Sequence, residues 1–250
     1  MPILSPLTWK RGHVLPTDKF YAPTVTITQP PKGSAAHYMG EVLDQLNLGA
    51  CTAHGYAAWA MAAMKKAGVP VFLISRLFQY LNERLKEGTV STDAGAIVRD
   101  AFWVGANYGI VDESLWPYDV DKFAVIPPAN VYAQAKKDTQ HYFAPLDPSI
   151  LINQIKIAIN HGQAIVYGFD VFSNFEAYES GVLELPSNTD QYLGGHCVAA
   201  YAYDDSVNAC LVRNSWNTSW GINGDFWVSY NYLASRMSAD FWTGHIQDAA

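Results

Sequence analysis

Two short stretches carry the residues best suited to chemistry. In the first, Gln45-Leu46-Asn47-Leu48-Gly49-Ala50-Cys51 leads into an apolar segment with helical spacing, so a glycine-bearing loop delivers a cysteine to a helix start. Unpaired backbone N–H groups and the positive end of the macrodipole meet at such a place. Both favour the thiolate, the attacking form of cysteine, and predict a depressed thiol pKa. In the second, Gly194-Gly195-His196 reads as a turn before an apolar strand, and Arg213-Asn214-Ser215-Trp216 closes the next strand. An imidazole can take a thiol's proton. A side-chain amide cannot, but it can fix the imidazole tautomer. Each residue alone has a plainer role: a cysteine packed in a core, a histidine before a strand, a surface amide. It is their combination that points to nucleophilic catalysis.

The other candidates read as structural. Cys197 and Cys210 lie in apolar strand-like runs and are expected to be buried thiols. No C-x-x-C pair is present, so no zinc site, and no other metal or cofactor, is expected. His54, one turn after Cys51, is expected to be a core- or solvent-facing imidazole rather than a ligand.

The elements that must position these groups follow from periodicity. Tyr56, Trp59, Ala60, Ala63 and Met64 mark one face of a helix over 50–67, closed by Lys65, Lys66 and Gly68. Ser75 caps a second helix, and a third spans about 94–107 before Gly109. Asn130–Lys137 predicts a short helix, and 147–160 another, opened by Asp147-Pro148. Thereafter the β-rich runs AIVYGFDVF, HCVAAYAYD, ACLVRNSW and DFWVSY are separated by turn residues. In the proline-rich start only TVTITQ (24–29) alternates like a strand. Helices first and mainly antiparallel strands afterwards give an α+β class with two lobes. The expected organisation is an N-terminal arm over 1–44, a mainly helical lobe over 45–145 and a mainly β lobe over 146–250.

The order Gln45, Cys51, His196, Asn214 resembles that of the papain-like cysteine peptidases. Asn107-Tyr108-Gly109-Ile110 with Trp116-Pro117-Tyr118 is similar to another stretch of that family. So is the run from Ile155 to Gln163 followed by a strand and Phe175, Tyr178, Gly181 and Val182. The resemblance covers about Gln45 to Tyr232, and Asn214-Ser215-Trp216 is its most specific part. It implies a helical lobe bearing Cys51, an antiparallel β-barrel lobe bearing His196 and Asn214, and a cleft between them. It implies that Cys51 attacks a peptide carbonyl, His196 is its acid–base partner, Asn214 orients the imidazole, and Gln45 with the Cys51 N–H holds the oxyanion. Cys51 and His196 are then expected to meet in the cleft. Gly95, Gly195 and Gly168 become substrate-binding residues, Gly168 as the wall of a roomy specificity pocket, and Trp216 a shield over the histidine and part of the substrate site.

The departures from the family are also informative. Leu48 stands where a disulfide cysteine is usual, Thr52 where Trp follows the nucleophile, Ala96 where a second glycine pairs with substrate, and Asn217 where a Gly follows Asn-Ser-Trp. The arm is longer than a typical mature N-terminus and shorter than the usual prodomain. Few cysteines suggest a reducing compartment, or a bacterial or viral source.

Composition sets the outer bounds. The 250 residues are 50% apolar and 16% charged, which excludes disordered, collagen-like and coiled-coil chains. A net charge of −7 argues against a nucleic-acid partner. No apolar run reaches the ~20 residues of a membrane helix, so no membrane partner is expected. The first residues place an apolar patch ahead of their positive charges, the reverse of a secretory signal, which leaves the cytoplasm, export by a route the sequence does not show, or earlier trimming as the expectations. The expected partner is a peptide or polypeptide substrate. Two alternatives share the same residues: a papain fold serving as a low-activity structural or binding module, and an acyltransferase or transpeptidase using the same acyl-enzyme.

Overall fold

The computed structural model describes residues 5–22, 28–135 and 141–246. Helix α1, Cys51–Ala67, is the central element. It is rich in alanine, buried on nearly all sides, and lies between two other helices and the sheet. Its N-cap, Ala50, offers no side-chain cap, so the first N–H groups stay available to the site. At the other end Lys65 and Lys66 oppose the macrodipole, and Gly68 at φ 74° turns the chain out of the helix. Helix α2, Arg76–Glu87, starts where Ser75 Oγ accepts from Phe78 N, and ends at Gly88 with φ 72°.

Helix α3, Val98–Tyr108, begins four residues later than periodicity predicts. Gly95 adopts φ 66°, and the chain up to Ile97 is held extended against the N-terminal arm, where Lys10 N donates to Ala96 O at 3.1 Å. Most of TVTITQ lies outside the described residues, and Thr28 and Gln29 belong to no strand. The arm's strand is instead β1, Lys32–Ser34, which pairs with the sheet. Helix α4, Ala129–Ala135, is the expected short helix, whose last two predicted positions are not among the described residues. Asp147 caps a single 3-10 turn, which leads into α5, Leu151–Asn160.

The remaining elements are β2 (His141–Pro145), β3 (Ile165–Phe172), α6 (Ser173–Glu176), β4 (Val182–Leu183), β5 (Tyr192–Asp204), β6 (Ala209–Arg213), β7 (Asp225–Ser229), α7 (Tyr230–Leu233) and β8 (Ser238–Ile246). They form an eight-stranded sheet in the order β2-β8-β3-β5-β6-β7-β4, with β1 also on β5. All pairs are antiparallel except β4 with β7. Gly194 and Gly195, expected in a turn, belong to β5 and pair with Val171 and Asp170 of β3. Two glycines weaken a strand's local signal, but the paired partner holds them extended.

Alternation along β5 then decides what faces where. Cys197 and Ala199 join the core shared with α1, while Val198 and Ala200 join a second core with α5 and Phe169, Phe175 and Phe226. His196 lies on that second side, with Phe169 and Phe175 at centroid distances of 6.0 Å.

Candidate active site

Three segments converge: the loop before α1, the start of β5, and the turn after β6. Cys51 opens α1 and is fully buried. Polar backbone of Cys197, Thr8 and Thr52 around the thiol favours its ionisation. Burial pushes the Cys51 thiol up to about 12, the reverse of the depression that a helix start alone predicts. Arm residues exclude the water that would solvate a thiolate.

His196 is also fully buried. Asn214 Oδ1 lies 2.7 Å from its Nε2 and also accepts from Ser215 N at 2.8 Å. An amide oxygen can only accept, so Nε2 carries the hydrogen and the neutral ring leaves its lone pair on Nδ1. Nδ1 has no hydrogen-bond partner among the described residues, and none to the Cys51 thiol. Burial lowers His196 to about 4, against the pull of Asn214. The Trp216 ring covers the imidazole at 4.9 Å and packs on Phe175 and Trp220. Beyond Trp216 an open trough of about 850 Å³ is lined by Asp44, Leu46, Asn47, Glu176 and Asn217.

Gln45 is buried beside them. Its Oε1 accepts from Ser215 Oγ at 2.7 Å, and its Nε2 donates to Leu48 O at 3.1 Å and to Pro6 O at 3.3 Å. The Ser215 hydroxyl thus orients the amide so that Nε2 meets the Pro6 carbonyl oxygen. Ser215 was visible only as the middle of Asn-Ser-Trp, with no separate sign of this task. Tyr118 OH donates to Gln45 O at 2.9 Å and braces the same loop.

The carbonyl that Gln45 meets belongs to the arm. Trp9 N donates to Gly195 O at 2.9 Å, Thr8 bridges Gly195, and Thr8 Oγ1 donates to Gly49 O at 2.8 Å. The glycines leave the room it occupies. A Cβ at Gly95 would lie 1.8 Å from Thr8 O, and one at Gly168 1.9 Å from the Trp9 ring. Gly168, Gly95 and Gly195 therefore line one channel, and Pro6 to Lys10 run through it. Sequence reasoning missed this route because no local pattern states where an arm docks. The one available sign was a tryptophan in the arm and a glycine where the pocket wall should be. Farther along, Arg11 approaches Asp170 at 3.5 Å, Gly12 N donates to Asp240 Oδ2 at 2.6 Å, and Asp18 forms a two-bond pair with Arg99 at 2.7 and 2.8 Å.

A family model described as papain family cysteine protease matches residues 33–240. The chain belongs to the papain family of cysteine proteases. It is 37% identical over 211 residues, 80% of this chain and 68% of the other, to an uncharacterized peptidase C1-like protein, L477, of Acanthamoeba polyphaga mimivirus. It is 25% identical over 224 residues, 81% of this chain and 70% of the other, to a cathepsin B-like protein, CP3, of Giardia intestinalis. Among solved structures it is similar to xylellain, a cysteine protease from Xylella fastidiosa, with a TM-score of 0.88, 28% identity and coverage of 97% of this chain and 96% of that one. The papain-like fold and a cysteine peptidase as the enzyme class follow.

Cys51, Cys197 and Cys210 of this papain-family protease are all free thiols. Among the described residues no group of three His, Cys, Asp or Glu side chains is placed to hold a metal ion. No helix among them is long and apolar enough to cross a membrane.

Proposed function

We propose that this peptidase hydrolyses peptide bonds through a thioester on Cys51, and that the arm-filled cleft is its latent form. One observation carries the reading. A buried imidazole is held through Nε2 by Asn214, with Nδ1 bare, and the Cys51 thiol at the start of α1 shares a buried core with Cys197, the residue next to that imidazole. With the arm withdrawn, water and the helix start favour the thiolate, and Nδ1 takes the thiol proton. The thiolate attacks the substrate carbonyl. Gln45 Nε2, freed from Pro6 O, donates to the oxyanion, and His196 returns its proton to the leaving amine. Water then cleaves the thioester with His196 as base. Gly95 and Gly195 pair with the substrate backbone, and Gly168 walls the pocket that Trp9 now fills. Trp216 screens the His196–Asn214 bond from water, which strengthens it.

A neutral thiol under an arm would also suit a fold used as a binding module. The complete His196–Asn214–Ser215–Gln45 hydrogen-bond chain favours the enzyme. Trp9→Ala decides between them. It should raise both the alkylation rate of Cys51 at pH 5.5 and the hydrolysis of fluorogenic peptides by about tenfold or more. Faster alkylation with no peptide cleavage would favour the module. Cleavage that diverts to added amines would favour acyl transfer.

A further inference from the structure

Behind the first turn of α1 lies a buried acid that the mechanism above does not use. Glu83, on α2, is fully buried, as is Thr52, the residue after Cys51. The Thr52 hydroxyl donates to Glu83 Oε2 at 2.5 Å, and Gln79 Nε2 donates to Glu83 Oε1 at 3.0 Å. The same Gln79 nitrogen is fixed by Ala101 O at 2.8 Å, so the carboxyl sits in a cage built from three helices.

No cation completes that cage. Among the described residues Lys86 pairs with Asp100 at 2.8 Å, Lys10 with Glu87 at 2.8 Å and Arg99 with Asp18 at 2.7 Å, and none pairs with Glu83. Arg84, next in sequence, turns its guanidinium to the carbonyls of Val90, Thr92 and Phe123 and over the Tyr80 ring. The titratable and charged groups around Glu83 are Cys51 and Tyr56 from α1, Cys197 from β5, Arg84, Lys86 and Glu87 from its own helix, and Arg99 and Asp100 from α3. A carboxyl taken from water without a cation favours its neutral form. Burial, helped by Glu87 and Asp100 and opposed by Thr52 and Gln79, pushes Glu83 up to about 8. Its charge, once formed, acts against ionisation of Cys51.

We propose that Glu83 is a positioning residue for the nucleophile. Its carboxyl oxygens accept from Thr52 and so hold the first turn of α1 in place, and its negative charge, once formed, restrains ionisation of Cys51 in alkali. The proposal rests on Cys51 as the reactive thiol, and its test does not need peptide cleavage. Iodoacetamide labelling of Cys51 is followed by peptide mass spectrometry from pH 6 to 9.5 in full-length Trp9→Ala protein, with and without Glu83→Gln. Cys210, buried in the other core, is the internal reference for reagent chemistry. The rate ratio of Glu83→Gln to parent should be near one at pH 6 and rise to about tenfold by pH 9, while Cys210 labelling is unaffected. A ratio that stays constant across this range would overturn the proposal. If Glu83→Gln fails to fold, Thr52→Val serves instead. Losing the hydroxyl should move the restraint on Cys51 labelling to higher pH, and an unmoved profile again refutes the role. Loss of peptide cleavage together with an intact labelling response would count against the peptidase reading alone.

Discussion

His54 and His196 are both almost fully buried, and both are held below the ordinary histidine range, to about 3 and about 4, chiefly by burial. Their surroundings differ in one respect. His54 Nδ1 lies 2.8 Å from Ala50 O, and its Nε2 faces Arg76 Nη1 at 3.2 Å and Asp44 O at 3.2 Å. A neutral ring that donates from Nδ1 and accepts from Arg76 satisfies both nitrogens. Arg76 is itself locked by Glu113 at 2.5 and 2.7 Å. His196 has one satisfied nitrogen and one bare one. Burial and a low pKa are common to the two rings, and the open nitrogen is what separates them.

The sharpest way to break this contrast is substitution. His196→Ala should lower kcat for peptide hydrolysis by about 10⁵–10⁶ while leaving the urea midpoint little changed. His54→Ala should do the opposite, costing about 2–4 kcal/mol in urea unfolding through the buried cavity and the lost bonds to Ala50 O and Arg76, with kcat within about threefold. Matching losses of activity in the two variants would erase the distinction.

Gln45→Ala comes next. It should cost about 10²–10³ in kcat with KM nearly constant, because its N–H gains strength only as the oxyanion forms. A change confined to KM would make Gln45 a binding residue.

Acid should reveal what the two histidines share. Each has a folded pKa below the unfolded 6.5, so the unfolded chain binds more protons below that value. Neither ring costs stability above about pH 6.5, and as pH falls the cost of keeping it neutral grows to about 3 kcal/mol near pH 4 for His196 and about 5 kcal/mol near pH 3 for His54. Urea midpoints at pH 7 and pH 4.5 should differ accordingly, and either alanine variant should show a smaller difference. A midpoint independent of pH would mean that neither ring is held neutral. The smallest effect is expected from reductant, which should leave Tm unchanged because no thiol is bridged.

Much of this was readable in the sequence because it is local. A glycine loop before an alanine-rich run specifies α1 and puts Cys51 first in it, and Ser75 and Gly88 bracket α2. Asn214-Ser215-Trp216 holds the amide that orients His196, the hydroxyl that orients Gln45 and the ring that covers the imidazole within three residues. What could not be read depends on distant partners. Gly194 and Gly195 look like a turn until β3 pairs with them, and α3 starts late because the arm claims the residues before it. Strand β8 has no clean alternation; it is held between β2 and β3. The Cys51 thiol shift has the opposite sign to the one that a helix start predicts, because full burial outweighs it, and the arm docked beside Cys51 has no local sequence signal.

The ion pair between Asp18 and Arg99 makes the arm a short leash. Some ten residues separate Asp18 from Thr8, so a tip released as far as that pair has an r.m.s. distance of roughly 17 Å from its anchor. Tethering of that kind keeps the tip at an effective concentration of about 1 mM around the cleft. A segment that bound in trans with a Kd of only about 1 mM would then occupy its own cleft about half the time. A peptide copying residues 5–11 should therefore be a poor inhibitor when added from solution, although the same residues guard the cleft well in cis. Where the arm is fastened, by Asp18 with Arg99, Gly12 with Asp240 and Lys10 with Glu87, therefore weighs more in its occupancy than the intrinsic affinity of its tip.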